Sequence, residues 1–236
     1  MNLWRRASVT LAIKNRLVGG IPTSPKLIEG WIAANMPEVS ADERAKLAEK
    51  TVQELPEQAE EAAKSMWTTF KRNSAGAVYI EGRNVKAMFK EAANVLREVL
   101  IKDERAGKKA AGEGKEGKAE AKSRYTNLKS KLAERLFIEQ DEIPMLRDGK
   151  AIEKPDGNEE RAIHVMTAMG PRSALKRVDF VNAPAVLKFS LRYLNDGVVD
   201  VELIKTLLEY AAWNGMGADR SQGNGLFELV ELQPLD

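Results

Sequence analysis

Val186-Leu187-Lys188-Phe189-Ser190-Leu191-Arg192-Tyr193-Leu194 sets Leu187, Phe189, Leu191 and Tyr193 against Lys188, Ser190 and Arg192 in alternation. Side chains of an extended chain point to opposite faces in turn, so this stretch reads as a strand with one buried face. Downstream, Val201, Ile204, Leu207, Leu208 and Ala211 recur at helical spacing, and Asp196 or Asp200 starts the helix. A glycine-rich loop then leads into a last strand over 226–232. Strand, helix, strand is the closing half of a mixed α+β fold.

The upstream half follows the same pattern. Val9-Thr10-Leu11-Ala12-Ile13-Lys14 alternates with period two and runs into Leu17-Val18-Gly19-Gly20-Ile21-Pro22, where two glycines and a proline end the strand. Residues 25–70 are helical in pattern and are divided by Pro37 and Pro56. Asn73-Ser74-Ala75-Gly76 reads as a turn, and Val78-Tyr79-Ile80 as a short extended piece. Val85, Met88, Phe89, Ala92, Leu96, Val99 and Leu100 then predict an amphipathic helix over 83–101.

The stretch 102–124 holds no apolar residue larger than alanine, a composition that predicts a mobile insertion. A short helix is expected over 125–137. Pro144, Gly149, Pro155 and Gly157 predict a loop over 140–160, before extended pieces at 162–167 and 175–181. The piece 175–181 is compatible with a hairpin to 186–194, which leaves the strand count open. The order predicts an α+β, ferredoxin-like βαββαβ core in one domain, 1–236. A helical insertion is expected at 25–72, and a flexible and helical (partly disordered) insertion at 102–160.

Composition narrows the chemistry. Cysteine is absent, which excludes disulfides, thiolate metal sites and cysteine nucleophiles. His164 is the only histidine, so sites built on several imidazoles are excluded too, and no cofactor or metal is expected. No window approaches the roughly 18–20 unbroken apolar residues of a membrane span, so no membrane partner and a cytoplasmic location are expected. A net charge of +2 is too small to argue for nucleic-acid binding; only a local concentration of charge can do that.

One segment concentrates the features a phosphate requires. Asn214-Gly215-Met216-Gly217-Ala218-Asp219-Arg220-Ser221-Gln222-Gly223-Asn224-Gly225-Leu226-Phe227 carries four glycines and an arginine between a helix and a strand. Glycines let backbone approach a ligand, loop amides hold phosphate oxygens, and Arg220 adds a cation. The same spacing also fits a helix C-cap followed by a tight turn, and spacing alone leaves both readings open.

This segment resembles the C-terminal glycine-rich loop of the repeat-associated mysterious proteins, the RAMP superfamily of CRISPR effectors, on Arg220-Ser221, Gly223, Gly225 and Phe227. Asn224 stands where an aromatic is common and Leu226 where an arginine is common. Val78-Tyr79-Ile80-Glu81-Gly82-Arg83-Asn84-Val85-Lys86 resembles a motif of their backbone subunits, matching at Tyr79, Ile80, Gly82 and Lys86 and opening a helix. Glu81 replaces a proline there, and Arg83-Asn84 a serine pair. Gly19-Gly20 is similar to the glycine pair after their first strand.

The resemblance implies an RNA-recognition-type core that assembles in copies along a guide RNA, with further effector subunits as partners and a target nucleic acid left open. It also implies RNA contacts at Gly19, Gly20, Arg83, Asn84, Lys86, Lys90, Gly215, Gly217, Arg220, Ser221, Gln222, Gly223 and Gly225. The free amides at the start of the second motif's helix suit a phosphate, and Lys86 suits its charge.

Some family members cut RNA with an aspartate after the first glycine pair. Here Ile21-Pro22-Thr23-Ser24-Pro25 holds no acid, so no catalytic residue is assigned. Two other readings stay open: an RNA endonuclease using His164 or an unassigned carboxylate, and a structural protein that binds no nucleic acid. Trp4, Trp31, Trp67 and Trp213 sit in apolar patterns and are expected in the core. Lys188 and Arg192 are expected to contact the RNA backbone if they share the open sheet face.

Overall fold

The alternating stretch at 186–194 lies in the middle of a sheet. The structure is a computed structural model and describes residues 2–23, 28, 30, 32–33, 38–53, 66–110, 123–167 and 170–235. In chain order it begins with β1 (Trp4–Ile13), β2 (Arg16–Val18), β3 (Ile21–Pro22), α1 (Ala41–Gln53), β4 (Met66–Thr69), β5 (Lys71–Arg72) and β6 (Val78–Glu81). Then come α2 (Gly82–Ala110), α3 (Leu128–Arg135), β7 (Leu136–Ile138), β8 (Glu142–Arg147) and β9 (Lys150–Ala151). The chain closes with β10 (Gly157–Thr167), β11 (Gly170–Asn182), β12 (Ala185–Leu194), α4 (Val201–Asn214) and β13 (Phe227–Pro234).

Among the described residues the strands form two sheets. The main sheet has the order β13–β1–β12–β8–β6–β5, with β7 also on β12 and β9 on β8, and every pairing is antiparallel. β1 and β12 pair from Trp4 opposite Leu194 to Ile13 opposite Ala185. That register puts Val9 and Leu11 beside Phe189 and Leu187 on one face, where α2, α3 and α4 supply Phe89, Leu132 and Leu207 to the same core. Leu11, Leu187, Phe89, Leu132 and Leu207 are fully buried, each contributing about 1.5–3 kcal/mol from lost apolar surface. The polar set Arg6, Ser8, Thr10, Lys188, Ser190 and Arg192 therefore lies on the opposite, open face.

The second sheet has the order β10–β11–β4–β3, with β2 on β11. β11 and β12 are adjacent in sequence but belong to different sheets, so the hairpin between 175–181 and 186–194 does not form. Instead β11 pairs with β10 along its length and meets β2 and β4 only from Lys176 onward. The core strand expected at 162–167 is thus part of this long hairpin. Its place beside β12 is taken by β7 and β8.

Three other expectations change. The loop over 140–160 contains β8, β9 and the start of β10; Asp148 and Gly149, both at positive φ, close a two-residue turn between β8 and β9. The helical pattern over 25–70 ends earlier, because Met66–Thr69 is strand β4. Segment 102–124 is helical as far as Ala110, since α2 continues through Lys102, Glu104, Arg105 and Ala106 and past Gly107; residues 111–122 lie outside the described residues. No helix of the described chain is long and apolar enough to cross a membrane.

Candidate nucleic-acid interface

A cleft of about 370 Å³ opens where three separate stretches of sequence converge. Its wall is built from Val18, Gly20 and Ile21 after β1, from Tyr79, Ile80 and Glu81 of β6, and from Gly215, Met216, Gly217, Ala218 and Arg220 after α4. α2 presents Asn84, Ala87, Met88 and Glu91, which recur at helical spacing on one face.

Glycine is required where these walls touch. A β-carbon on Gly19 would sit 2.4 Å from the carbonyl carbon of Thr69, so the chain can pass β4 only without a side chain. Gly225, at φ +78°, would place one 1.9 Å from the carbonyl oxygen of Met216. The glycine-rich loop folds back on itself and on β2: Met216 N–H donates to Gly225 O at 3.0 Å, Ala218 N–H to Val18 O at 3.0 Å, and Gly225 N–H to Arg16 O at 2.7 Å. These amides serve the protein's own carbonyls. The loop therefore satisfies much of its structural reading while still lining the cleft.

The charges in the cleft are balanced. Arg220 Nη1 donates to Glu91 Oε2 at 2.8 Å, and Asn214 Nδ2 donates to Glu91 Oε1 at 3.1 Å. Burial pushes the Glu91 carboxyl up, but the bonds from Arg220 and Asn214 and the Arg220 charge bring it below its ordinary value. At the other end, Glu81 accepts from Lys71 at 3.4 Å and from Arg83 at 2.7 Å.

Behind the loop a second set of ion pairs ties it to the β10–β11 hairpin. Asp219, a non-glycine residue at φ +57°, meets Arg161 at 2.5 Å and Lys176 at 3.1 Å. Arg161 also donates to Gln222, and Arg16 bridges Asn224 at 2.9 Å and Glu159 at 2.6 Å. Deeper in, Asp179 accepts from Trp67 Nε1 at 2.8 Å and Thr69 Oγ1 at 2.5 Å, and burial holds its carboxyl above the usual range.

Of the residues proposed from sequence, Gly20, Asn84, Gly215, Gly217 and Arg220 line the cleft. Gly19 is buried against β4 and Gly225 against Met216. Arg83 is held by Glu81, while Ser221, Gln222 and Gly223 are exposed at the far end of the loop. Lys86 and Lys90 do not line it. Lys86 lies on the other flank of α2, its Nζ 4.2 Å from the centroid of Phe137. Burial, and then repulsion from Lys90, lower its pKa. The amide of Gly82, at the start of α2, donates to Asp141 O at 2.8 Å.

No protein-family model matches this chain, and no curated protein matches it. The likeness to known proteins is structural and distant. The chain is similar to Cmr6 and to chains of Type III-B and Type IV-B CRISPR complexes. A chain of the Type III-B Cmr-beta structure bound to cognate target RNA shares 15% identity at a TM-score of 0.47, over 98% of this chain and 60% of that one. This protein thus spans only about 60% of that chain's length. Cmr6 from Pyrococcus furiosus shares 14% at 0.43, over 98% and 100% of the two chains. A chain of the Type IV-B CRISPR complex shares 11% at 0.41, over 97% and 90%.

Sequence reasoning missed Glu91 and Asn214, because a carboxylate or amide on a helix carries no spacing signal for the loop it meets, and Lys71, because strand β5 fell within the helical insertion expected at 25–72. The tryptophans expected in the core divide: Trp4 is only half-buried, on the open face of the main sheet. Trp213 is 79% exposed, contrary to the core placement, and stands beneath Lys14 at 5.6 Å; Trp67 is buried and carries Arg177 at 4.3 Å. Trp31 lies outside the described residues. His164 is exposed on β10, opposite Ser173 of β11.

Proposed function

We propose that this protein binds RNA as a repeating backbone subunit of an RNA-guided CRISPR effector complex, gripping the strand by its phosphates without cutting it. The observation that carries the reading is convergence: the three stretches matched separately on sequence, around Gly20, Tyr79–Asn84 and Gly215–Arg220, line one cleft. Nothing in their sequence spacing requires them to meet.

The order β13–β1–β12–β7/β8, with α2 and α4 packed in the same core, supports the ferredoxin-like reading of the main sheet. In the cleft, Arg220 offers a guanidinium suited to a phosphate, and Asn84 an exposed amide side chain for sugar or phosphate oxygens. Such contacts position a strand without reading its bases, so one subunit accepts any sequence and affinity accumulates over copies along one guide. The carboxylates of the cleft, Glu81 and Glu91, are each held by cations, which suits charge balance rather than proton transfer.

Co-expression with a guide RNA followed by size-exclusion chromatography tests this. The expected result is a nucleic-acid-rich species holding several copies of the chain. A protein that elutes as a nucleic-acid-free monomer and binds no RNA overturns the reading. Cleavage of labelled RNA that is lost in His164→Ala overturns the non-cutting part alone.

A further inference from the structure

We propose that the open face of the main sheet, at its Trp4–Phe137 end, is a second RNA contact that stacks unpaired bases. The register fixes the surface. Arg6 pairs with Arg192, and Arg192 with Phe137, so all three side chains point away from the helices. Trp4 is two residues before Arg6 on the same face and meets Phe137 edge-on, their ring centroids 5.7 Å apart. Phe137 is 40% exposed. Glu139 accepts from both Arg6 and Arg192, at 2.9 and 3.0 Å.

Lys86, over the Phe137 ring, adds a further cation. Two acids of the open face, Glu228 and Glu231, stand opposite Ala12 and Thr10, further along β1, and a third, Glu142, lies on β8. The aromatic end itself holds Arg6, Arg192 and Lys86 around its rings, with Glu139 between the two arginines.

Apolar rings flanked by cations on an exposed sheet match the alternation of base and phosphate in a single strand. A base stacking on Phe137 displaces Lys86 Nζ from the ring toward that nucleotide's phosphate. The platform is separate from the cleft: Asn84 of α2 lines the cleft, and Lys86, half a turn on, reaches Phe137 on the opposite flank. The inference takes its ligand class from the RNA-binding reading, but it rests on different residues.

The test is binding of labelled single-stranded oligouridylate, and its photo-crosslinking through 4-thiouridine, in the wild type, Phe137→Ala, Phe137→Tyr and Arg220→Gln. Phe137→Ala is expected to weaken binding about 5-fold or more, the lower range for one stacked base, while Phe137→Tyr binds like the wild type. Crosslinks are expected on the peptides carrying Trp4 or Phe137 and are expected to persist in Arg220→Gln. Wild-type affinity in Phe137→Ala, with crosslinks only on cleft peptides, overturns the proposal. So does a Phe137→Ala protein whose self-association changes while RNA binding does not, which makes the face a protein contact. If Arg220→Gln binds like the wild type while Phe137→Ala is weakened, the cleft reading fails and this one stands. A wild type that binds no RNA removes both.

Discussion

Arg220 Nη1 lies 2.8 Å from Glu91 Oε2, joining the glycine-rich loop to the helix that follows the Tyr79 stretch. Both residues line the cleft, so a phosphate reaching Arg220 competes with a carboxylate already there. Glu91→Gln is expected to raise affinity for oligouridylate about 1.4- to 5-fold, since partly exposed ion pairs are worth about 0.2–1 kcal/mol. Arg220→Gln is expected to weaken binding and to flatten the slope of log K against log salt by about 0.7, the share of one phosphate on a single strand. Anisotropy titrations over a salt series read both.

The same pair gives a pH dependence. The folded pKa of Glu91 lies below its ordinary value despite the opposing effect of burial. A carboxylate lowered on folding stabilises the fold above its unfolded pKa, and that contribution is lost as pH falls through the folded pKa. The stability difference between the wild type and Glu91→Gln is therefore expected at neutral pH and to vanish below the usual carboxylate range. Urea midpoints at neutral and acidic pH measure it.

Gly223 and Gly225 share nearly the same φ, +77° and +78°, but differ in their surroundings. Nothing lies within 4 Å of a β-carbon on Gly223, whereas one on Gly225 meets Met216 O at 1.9 Å. Gly223→Ala is expected to cost about 1–2 kcal/mol, from the left-handed conformation alone. Gly225→Ala is expected to cost about 1–3 kcal/mol more, from the forced contact with Met216. Equal costs, measured by chemical denaturation, contradict the close approach.

Asp219 couples the loop to the β10–β11 hairpin through Arg161, with both side chains largely buried. A double-mutant cycle on Asp219→Asn and Arg161→Met is expected to give a coupling of about 0.5–3 kcal/mol, where independent sites would give additive effects.

How much of this was written in the sequence depends on range. Strands 9–14 and 186–194 were legible because period-two alternation is local, and so was α4, capped by Asp200 on the amide of Leu203 at 2.8 Å. The placement of 162–167 was not legible. Alternation looks the same in either sheet, and although β10 and β11 are neighbours in sequence, no local signal says that β11 and β12 part into different sheets. The hairpin at Asp148-Gly149 carried a turn signal, but the prolines around it read as breakers. In the cleft, the glycines of the loop and the Tyr79 stretch were visible as motifs. Their balancing acids were not, nor was the side of α2 on which Lys86 stands. A lysine two residues along the helix from Asn84 points elsewhere, and only the position of Phe137 shows where.

The central claim, that this chain holds RNA by its phosphates, is tested most directly by the salt dependence of its affinity for oligouridylate. The account predicts measurable binding whose log K falls linearly with log salt, a slope of at least a few phosphate contacts that is reduced in Arg220→Gln. Absence of binding at low salt, or an affinity unchanged by salt and by Arg220→Gln, would contradict it.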